Sequence, residues 1–380
     1  MSLWCQHLLK NNSNKVKGNV VWSFLKSKEV TFSQCCNMCA QSDGNVRQSD
    51  HWYFTIGKHK FELTEDQKSQ LDRLVHLPII HTNKYECTLP PNHRFPMSKF
   101  SKTFNYLVQD KVIDKAKQHI SPQPISATIA ELVHTKEYVD KFFNGKTSEK
   151  EQKVTGFEWS EGLACRVRYE TGGTILTSLI AVQRGLASST AGGTHHAFPD
   201  HGAGFCLMND MALAARYLIK HEIVRKVLIV DLDVHQGDGT AFIFDKDPTV
   251  FTFSMHCGRN YPFRKQCSDL DVAVDVGTDD AGYQAVLKEH LPSVLSNFKP
   301  DLLIYDAGVD PHKNDELGKL NLTDHGLYMR DYYVLDTAIA AGIPVATVTG
   351  GGYCSDINQL AQRQTIIHRA ASHVYKERGL

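Results

Sequence analysis

The sequence predicts a single three-layer α/β domain, a mainly parallel sheet flanked by helices, and two observations carry that prediction. Short apolar runs, "KVLIVDLDV", "TVFTFSM", "PDLLIYDAG" and "PVATVTGGG", are built on Val, Leu, Ile and Phe, the pattern of strands buried on both faces. Between them lie longer stretches that read as amphipathic helices. Repeated strand–helix–strand units close into one parallel sheet with helices on both sides. Ligands of such sheets collect beyond the carboxyl ends of the strands.

The elements follow in chain order. Residues 1–76 form an N-terminal extension, rich in Asn, Ser, Lys and Gln, with "HWYFTI" as a short strand-like piece. No acidic residue precedes Glu29, so this stretch reads as a poorly ordered tail or as a leader of mitochondrial type, lysine-rich where arginine is usual. "QCCNMCA" (Cys35, Cys36, Cys39) contains a CxxC, but no second pair of matching spacing follows, which argues against a structural zinc module. Residues 77–380 hold the predicted domain. In it "NDMALAARYLIKHE" starts a helix at an Asn cap, "DDAGYQAVLKEHLPSVLSNF" gives a second, and "LTDHGLYMRDYYVLDTAIAAG" gives a third that Gly342 closes before Pro344.

Composition narrows the function classes. The chain of 380 residues is 42% hydrophobic and 22% charged, enough for a large core in an ordinary globular protein. Lys plus Arg and Asp plus Glu both count 42, so no global basic field recruits nucleic acid or an anionic membrane. No apolar run approaches the roughly 18 residues of a membrane span, and no secretory signal opens the chain, so an intracellular protein is expected, in cytoplasm, nucleus or mitochondrion. The ten cysteines are scattered and read as reduced, buried thiols.

Chemistry concentrates at four strand ends. "VLIVDLDVHQGDG" leads a greasy strand into Asp231, Asp233, His235 and Asp238, and period-2 alternation puts Asp231, Asp233 and His235 on one side. A buried carboxylate cluster needs a cation, a histidinium or a dense hydrogen-bond network. "STAGGTHHAFPDHGAGFCLMND" sets His195 and His196 behind Gly192 and Gly193, "LIYDAGVDPHKND" ends a strand in Asp306 and Asp310, and "VTGGGYCSDI" ends one in three glycines and Tyr353. Asp233, His235 and Asp310 supply two carboxylates and an imidazole, an open three-ligand set suited to zinc or another first-row divalent ion. With histidines beside such an ion, the chemistry read from these residues is hydrolysis.

From about Leu77 onward the chain resembles the zinc-dependent histone deacetylases of the arginase and deacetylase fold, through "GGTHHA", "GFCLMND", "DLDVHQGDGT", "AGVD" and "GGGY" in that family's order. Gln236 in "HQGDG", with "HRFPM" and "FSMHCGRNYPFRKQCSDLDV", is similar to the class IV and bacterial-type branch. The resemblance implies that His196 is the base toward the attacking water, His195 an electrostatic or acid partner, Asp231 and Asp238 the carboxylates that orient them, and Tyr353 the donor to the substrate carbonyl. It implies one Zn2+ per chain on Asp233, His235 and Asp310, and a structural K+ on carbonyls near Asp231, Asp233 and His235 with the Ser254 hydroxyl. Gly204 and Phe205 match one wall of an acyl-lysine channel, and Tyr261 is the choice for the opposite wall.

The implied substrate is an acylated protein, with a small acetylated amine such as a polyamine as the alternative and direct nucleic-acid or membrane binding unexpected. A silent acyl-lysine-binding scaffold is disfavoured because every ligand, both histidines and the tyrosine are present. An arginase-like ureohydrolase would need a second metal and more aspartates around "DVH".

Overall fold

The computed structural model describes residues 64–380; the "QCCNMCA" and "HWYFTI" segments lie outside the described residues. Eight strands form one sheet: β1 (Ile79–Ile80), β2 (His119–Ile120), β3 (Leu186–Ser189), β4 (Val227–Asp231), β5 (Val250–Cys257), β6 (Leu270–Val274), β7 (Leu302–Asp306) and β8 (Val345–Val348). Their order is β2-β1-β3-β8-β7-β4-β5-β6, and every ladder is parallel. The expected architecture is the one observed.

Alternating side chains of the same strands feed two separate cores, which is why the runs are apolar on both faces. Val227 and Ile229 of β4, Leu302 and Ile304 of β7, and Ala346 and Val348 of β8 pack into one core. Leu228, Val230, Leu303, Tyr305 and Val345 pack into the other. Burying one such side chain stabilises the fold by roughly 1.5–3 kcal/mol, so both helical layers are held by the sheet itself.

The described chain begins with α1 (Glu65–Asp72), started by a capping box in which Thr64 and Gln67 satisfy each other's backbone N–H groups. Leu71 and Leu74 are buried with the first core, and Gln67 and Gln70 bond Ser121 just after β2. Residue 77, the expected boundary, falls between α1 and β1. On the same face as the first core lie α4 (Glu161–Arg184) and α5 (Asp210–Lys220), the latter capped by Asn209 as its sequence foretold. The opposite layer holds α2 (Lys99–Gln109), α6 (Asp280–Phe298), α7 (Asp324–Ala340) and α8 (Ile357–Arg378), with α3 (Lys136–Phe143) packed against the first core. Gly342, at φ 74°, ends the α7 connection before Pro344 in a conformation that suits glycine.

One local expectation is corrected. The extended alternation proposed for Asp231 to His235 stops at Asp231, where β4 ends. Beyond it the chain turns on its own side chains: Asp233 N–H donates to Asp231 Oδ1 at 3.2 Å, and His235 N–H to Asp233 Oδ1 at 2.9 Å. The three groups converge through these short-range turns, which carboxylates favour, and not through pleating.

Candidate active site

The histidine pair leaves β3 through Gly192 and Gly193, at φ 99° and 90°. A Cβ on Gly193 would come within 2.6 Å of both Gly350 Cα and Asp306 Oδ2, so only glycine lets the β3 and β8 loops touch here. Thr194 anchors the turn to Asp210 at the start of α5, its N–H 2.7 Å and its hydroxyl 2.6 Å from Oδ1. His134, brought in just before α3, accepts from Asn209 N–H and bonds the Phe198 carbonyl, each at 3.0 Å. The Asn209 amide in turn donates to the His195 and Ala197 carbonyls. Both backbone flanks of the pair are thereby pinned.

His195 and His196 lie with ring centroids 4.1 Å apart. His195 Nδ1 is 2.7 Å from Asp231 Oδ2, and His196 Nδ1 is 2.6 Å from Asp238 Oδ1. Their electrostatics diverge. Burial works against charge on His195, but Asp231 and Asp233 outweigh it and hold the ring well above 6.5. Burial and the neighbouring His195 push His196 down to about 4, against the pull of Asp238. One ring is cationic and the other neutral, with Nδ1 of the neutral ring committed to Asp238 and its Nε2 left to accept a proton.

Asp233, His235 and Asp310 form a second buried group whose ligand atoms all lie within 4.8 Å of one another. His235 Nδ1 is 2.9 Å from Asp233 Oδ1 and 3.2 Å from Asp310 Oδ2. Asp310 Oδ1 accepts from Val234 N–H at 2.8 Å, whereas Oδ2 faces the His235 ring outside hydrogen-bond geometry. A Cβ on Gly351 would stand 2.3 Å from Asp310 Oδ2 and 2.5 Å from Asp233 Oδ2, so the β8 loop seals the cluster with backbone alone. Burial opposes a charged His235, yet Asp233 and Asp310 hold its ring protonated up to about 10. Two carboxylates that demand a positive charge between them, one with an oxygen outside hydrogen-bond geometry, fit a divalent ion in place of that proton. The group His195, Asp231 and Asp306 lies within the same distances, but of its members His195 alone lines the cavity.

These elements share one cavity of about 280 Å³, lined by His195, His196, Asp233, His235, Tyr353 and the predicted wall residues Gly204, Phe205 and Tyr261. Phe205 lies 5.8 Å from the Tyr353 ring, and Tyr261 meets His196 edge-on at 4.8 Å. Gly204 at φ 52° is tight against His196 and Tyr261, and Phe205 itself has φ 65°, an uncommon conformation for a bulky residue. The Tyr353 phenol is held well above 10 by burial and then by Asp233 and Asp310, so it keeps its proton and can donate a hydrogen bond.

The sequence reading missed the deep end of this cavity. Lys99, Arg166 and Glu170 line it, all buried. Arg166 Nη2 pairs with Glu170 Oε1 at 2.7 Å, and Lys99 Nζ donates to the Gly350 carbonyl at 3.3 Å beside the rings of Phe95, Phe100 and Tyr353. Burial, partly offset by Asp310, brings Lys99 down to about 8. Charged residues on amphipathic helices read as solvent-facing, so no pattern marked them. Asp306 was noted only as a strand end; it is fully buried, and burial and then Asp231 hold it well above the carboxylate range.

Comparison with known proteins agrees with this geometry. The histone deacetylase domain family matches residues 93–369. An uncharacterized protein of Picosynechococcus is 50% identical over 298 residues, covering 78% of this chain and 99% of its own. Histone deacetylase 2 of Arabidopsis thaliana is 30% identical over 351 residues, 88% of each chain. The acetoin utilization protein AcuC of Staphylococcus aureus is 30% identical over 307 residues, 74% of this chain and 76% of its own. The crystal structure of the HDA15 HD domain superposes with a TM-score of 0.65 at 23% identity, over 80% of this chain and 92% of that one, a likeness of fold. The chain therefore belongs to the histone deacetylase family and is a deacetylase, a hydrolase of amide bonds.

Proposed function

We propose that this protein hydrolyses the side-chain amide of acetyl-lysine, or of a longer acyl-lysine, in protein substrates, with one zinc ion per chain on Asp233, His235 and Asp310. The observation that carries the reading is that a neutral histidine, a cationic histidine, a protonated phenol and a cation-demanding carboxylate cluster meet in one narrow, aromatic-walled cavity. When bound, the ion supplies Lewis-acid polarisation of the acyl carbonyl and acidifies water.

The remaining work falls to the chain. Phe205 and Tyr261 flank the lysine stem and exclude water from it. His196 accepts the proton of the attacking water on Nε2, and Asp238 stabilises the imidazolium that forms. His195, kept charged by Asp231, supplies a fixed positive field at the carbonyl and is the nearby acid for the departing amine. Tyr353 donates to the oxygen that gains negative charge as the carbon becomes tetrahedral. The potassium ion implied by the same resemblance would draw on carbonyls near Asp231, Asp233 and His235 and on the Ser254 hydroxyl, whose oxygen lies 3.0 Å from His256 Nδ1.

The test is acyl release by zinc-loaded full-length protein from acetyl-lysine peptides, long-acyl-lysine peptides and acetylated polyamines, followed by mass spectrometry. Free acid released, with unmodified lysine left in the peptide, is the expected result. Turnover of the polyamine alone, or of none of the three, would overturn the reading.

A further inference from the structure

The mouth of the cavity carries charge that the chemistry inside does not use. Its lining residues come from the loop before α2, the Gly204 turn, the segment after β5 and the segment after Asp310. Arg94, exposed, lines the opening itself. Arg259 and Arg264, both exposed, flank the lining residues Asn260 and Tyr261, and Lys319 lies two positions from the lining residue Leu317. Among the described residues no carboxylate pairs with any of these four cations; the ion pairs of the molecule lie elsewhere. The exposed carboxylates of the same segments are Glu316, whose Oε1 is engaged by Ser355 N–H, and Asp269, whose Oδ2 accepts from Thr252; Asp200, on the approach to Gly204, is engaged by His201. For a chain of zero net charge this is a local excess of one sign.

The cations sit on a braced platform. Gln236, buried beside the site, donates to the Gln266 carbonyl and to Asp271 and accepts from Gln266 N–H, all within 2.9 Å. Lys265 Nζ holds the Asn260 and Pro262 carbonyls, Asn260 donates to the Leu317 carbonyl, and Lys319 Nζ donates to that of Arg259. Phe263, 92% exposed, gives the same loop an apolar tip. A loop fixed by this many contacts does not need to order itself on binding, so its charges act on a partner without that entropic cost.

We propose that this rim selects its substrate: acyl-lysine flanked by acidic residues, in preference to acyl-lysine in basic segments or on a cationic polyamine. The inference rests on the deacylase reading above and names the substrate class for that site. Guanidinium groups around a narrow opening attract carboxylates on either side of the inserted lysine and repel neighbouring ammonium groups. Exposed pairs are individually weak and screened by salt, so the selection arises from several acting together and fades as ionic strength rises. A single exposed aromatic among cations is little apolar area for an anionic bilayer to hold, which favours a peptide over a membrane as the partner.

Two labelled acetyl-lysine peptides of equal length, one with Asp and Glu flanks and one with Lys and Arg flanks, test this on zinc-loaded full-length protein. Binding is read by fluorescence anisotropy, and kcat/KM is normalised to a neutral acetyl-lysine tripeptide. The acidic peptide is expected to be favoured by about tenfold or more in ~50 mM salt, shrinking several-fold in ~500 mM salt. Arg259→Glu with Arg264→Glu is expected to erase or reverse the order; should that variant not fold, the salt dependence of the wild type decides. Equal affinity and rate on both peptides, or a preference for the basic one, overturns the rim proposal while leaving deacylation standing. An acidic preference in binding with no hydrolysis of either peptide overturns the deacylase reading and leaves the rim. Equal peptides together with sedimentation on anionic phosphatidylserine vesicles would assign the cations to a membrane instead.

Discussion

At the scale of single residues, the site divides charge between neighbours of the same type. His195 and His196 are adjacent, and their carboxylate bonds differ by only 0.1 Å (2.7 against 2.6 Å), yet burial among different partners holds one ring above and the other below its ordinary range. Tyr353 keeps the proton it needs to donate, so Tyr353→Phe should keep fold and metal while lowering turnover about a hundredfold to a thousandfold, roughly 3–4 kcal/mol, with little change in substrate affinity. A wild-type kcat for that variant, measured in single-turnover assays, would make the phenol a wall residue. Asp310→Ala removes the carboxylate whose Oδ2 faces the His235 ring, and stoichiometric zinc by atomic emission should drop to trace amounts. The chemistry-bearing residues were legible in the sequence because strand ends, glycines and histidines mark themselves. Asp306, Lys99, Arg166 and Glu170 were not, because their role depends on which helix face or strand end is covered by a distant segment.

At the scale of elements, two buried polar residues fix the loops that bear the site. His134 is a neutral bridge, donating to a carbonyl through one nitrogen and accepting the Asn209 N–H through the other. Burial first, against its bonds to the Phe198 and Pro199 carbonyls, lowers it from 6.5 to about 4. The unfolded chain thus binds the proton first: the stability this residue contributes is complete above pH 6.5 and is lost as pH falls through about 4. His134→Gln should flatten the pH dependence of unfolding free energy between those limits by about one proton, roughly 1.4 kcal/mol per pH unit. Urea titrations at several pH values would show it, and an unchanged slope refutes it.

Arg330 of α7 plays the matching part on the opposite face, donating to the carbonyls of Leu232, Ala307 and Gly308 and pairing with Asp331. It ties together the ends of β4 and β7, the strands that lead to Asp233 and Asp310. Arg330→Leu leaves three carbonyls and a carboxylate buried without that partner, and should cost about 3–5 kcal/mol of stability by chemical denaturation. An Arg in the middle of an apparently amphipathic helix gives no sign of such burial in the sequence. The helix itself was legible from its apolar spacing and from Gly342. The two-residue strands β1 and β2 were not, since nothing so short shows periodicity.

At the scale of the whole molecule, the packed unit reaches upstream of the first strand. Leu71 and Leu74 are buried, and Gln67 and Gln70 occupy backbone groups of Ser121 beside the edge strand β2. A chain begun at residue 64 should therefore melt several degrees above one begun at residue 77, as calorimetry would register; equal melting temperatures would make α1 an ornament. No helix among the described residues is long and apolar enough to cross a membrane. The architecture was legible because doubly buried strands and their intervening helices dominate it, whereas strand order was not, because periodicity says which face is buried and nothing about neighbours.

That order has a consequence for the life of the chain on the ribosome. β8, the last strand in sequence, lies in the interior of the sheet, between β3 on one side and β7 on the other. Until it is made, the sheet exists as two halves: one carries the histidine pair, the other the carboxylates and His235. Each half has an open edge awaiting the same strand, and the loop after β8 brings Gly351 and Tyr353 as it seats. While β8 is absent, no strand joins β3, which leads to the histidine pair, to β7, which leads to Asp310. Seating β8 joins the two halves and carries Gly351 and Tyr353 in beside the histidines and the carboxylates, so the site is complete only once that strand is in place.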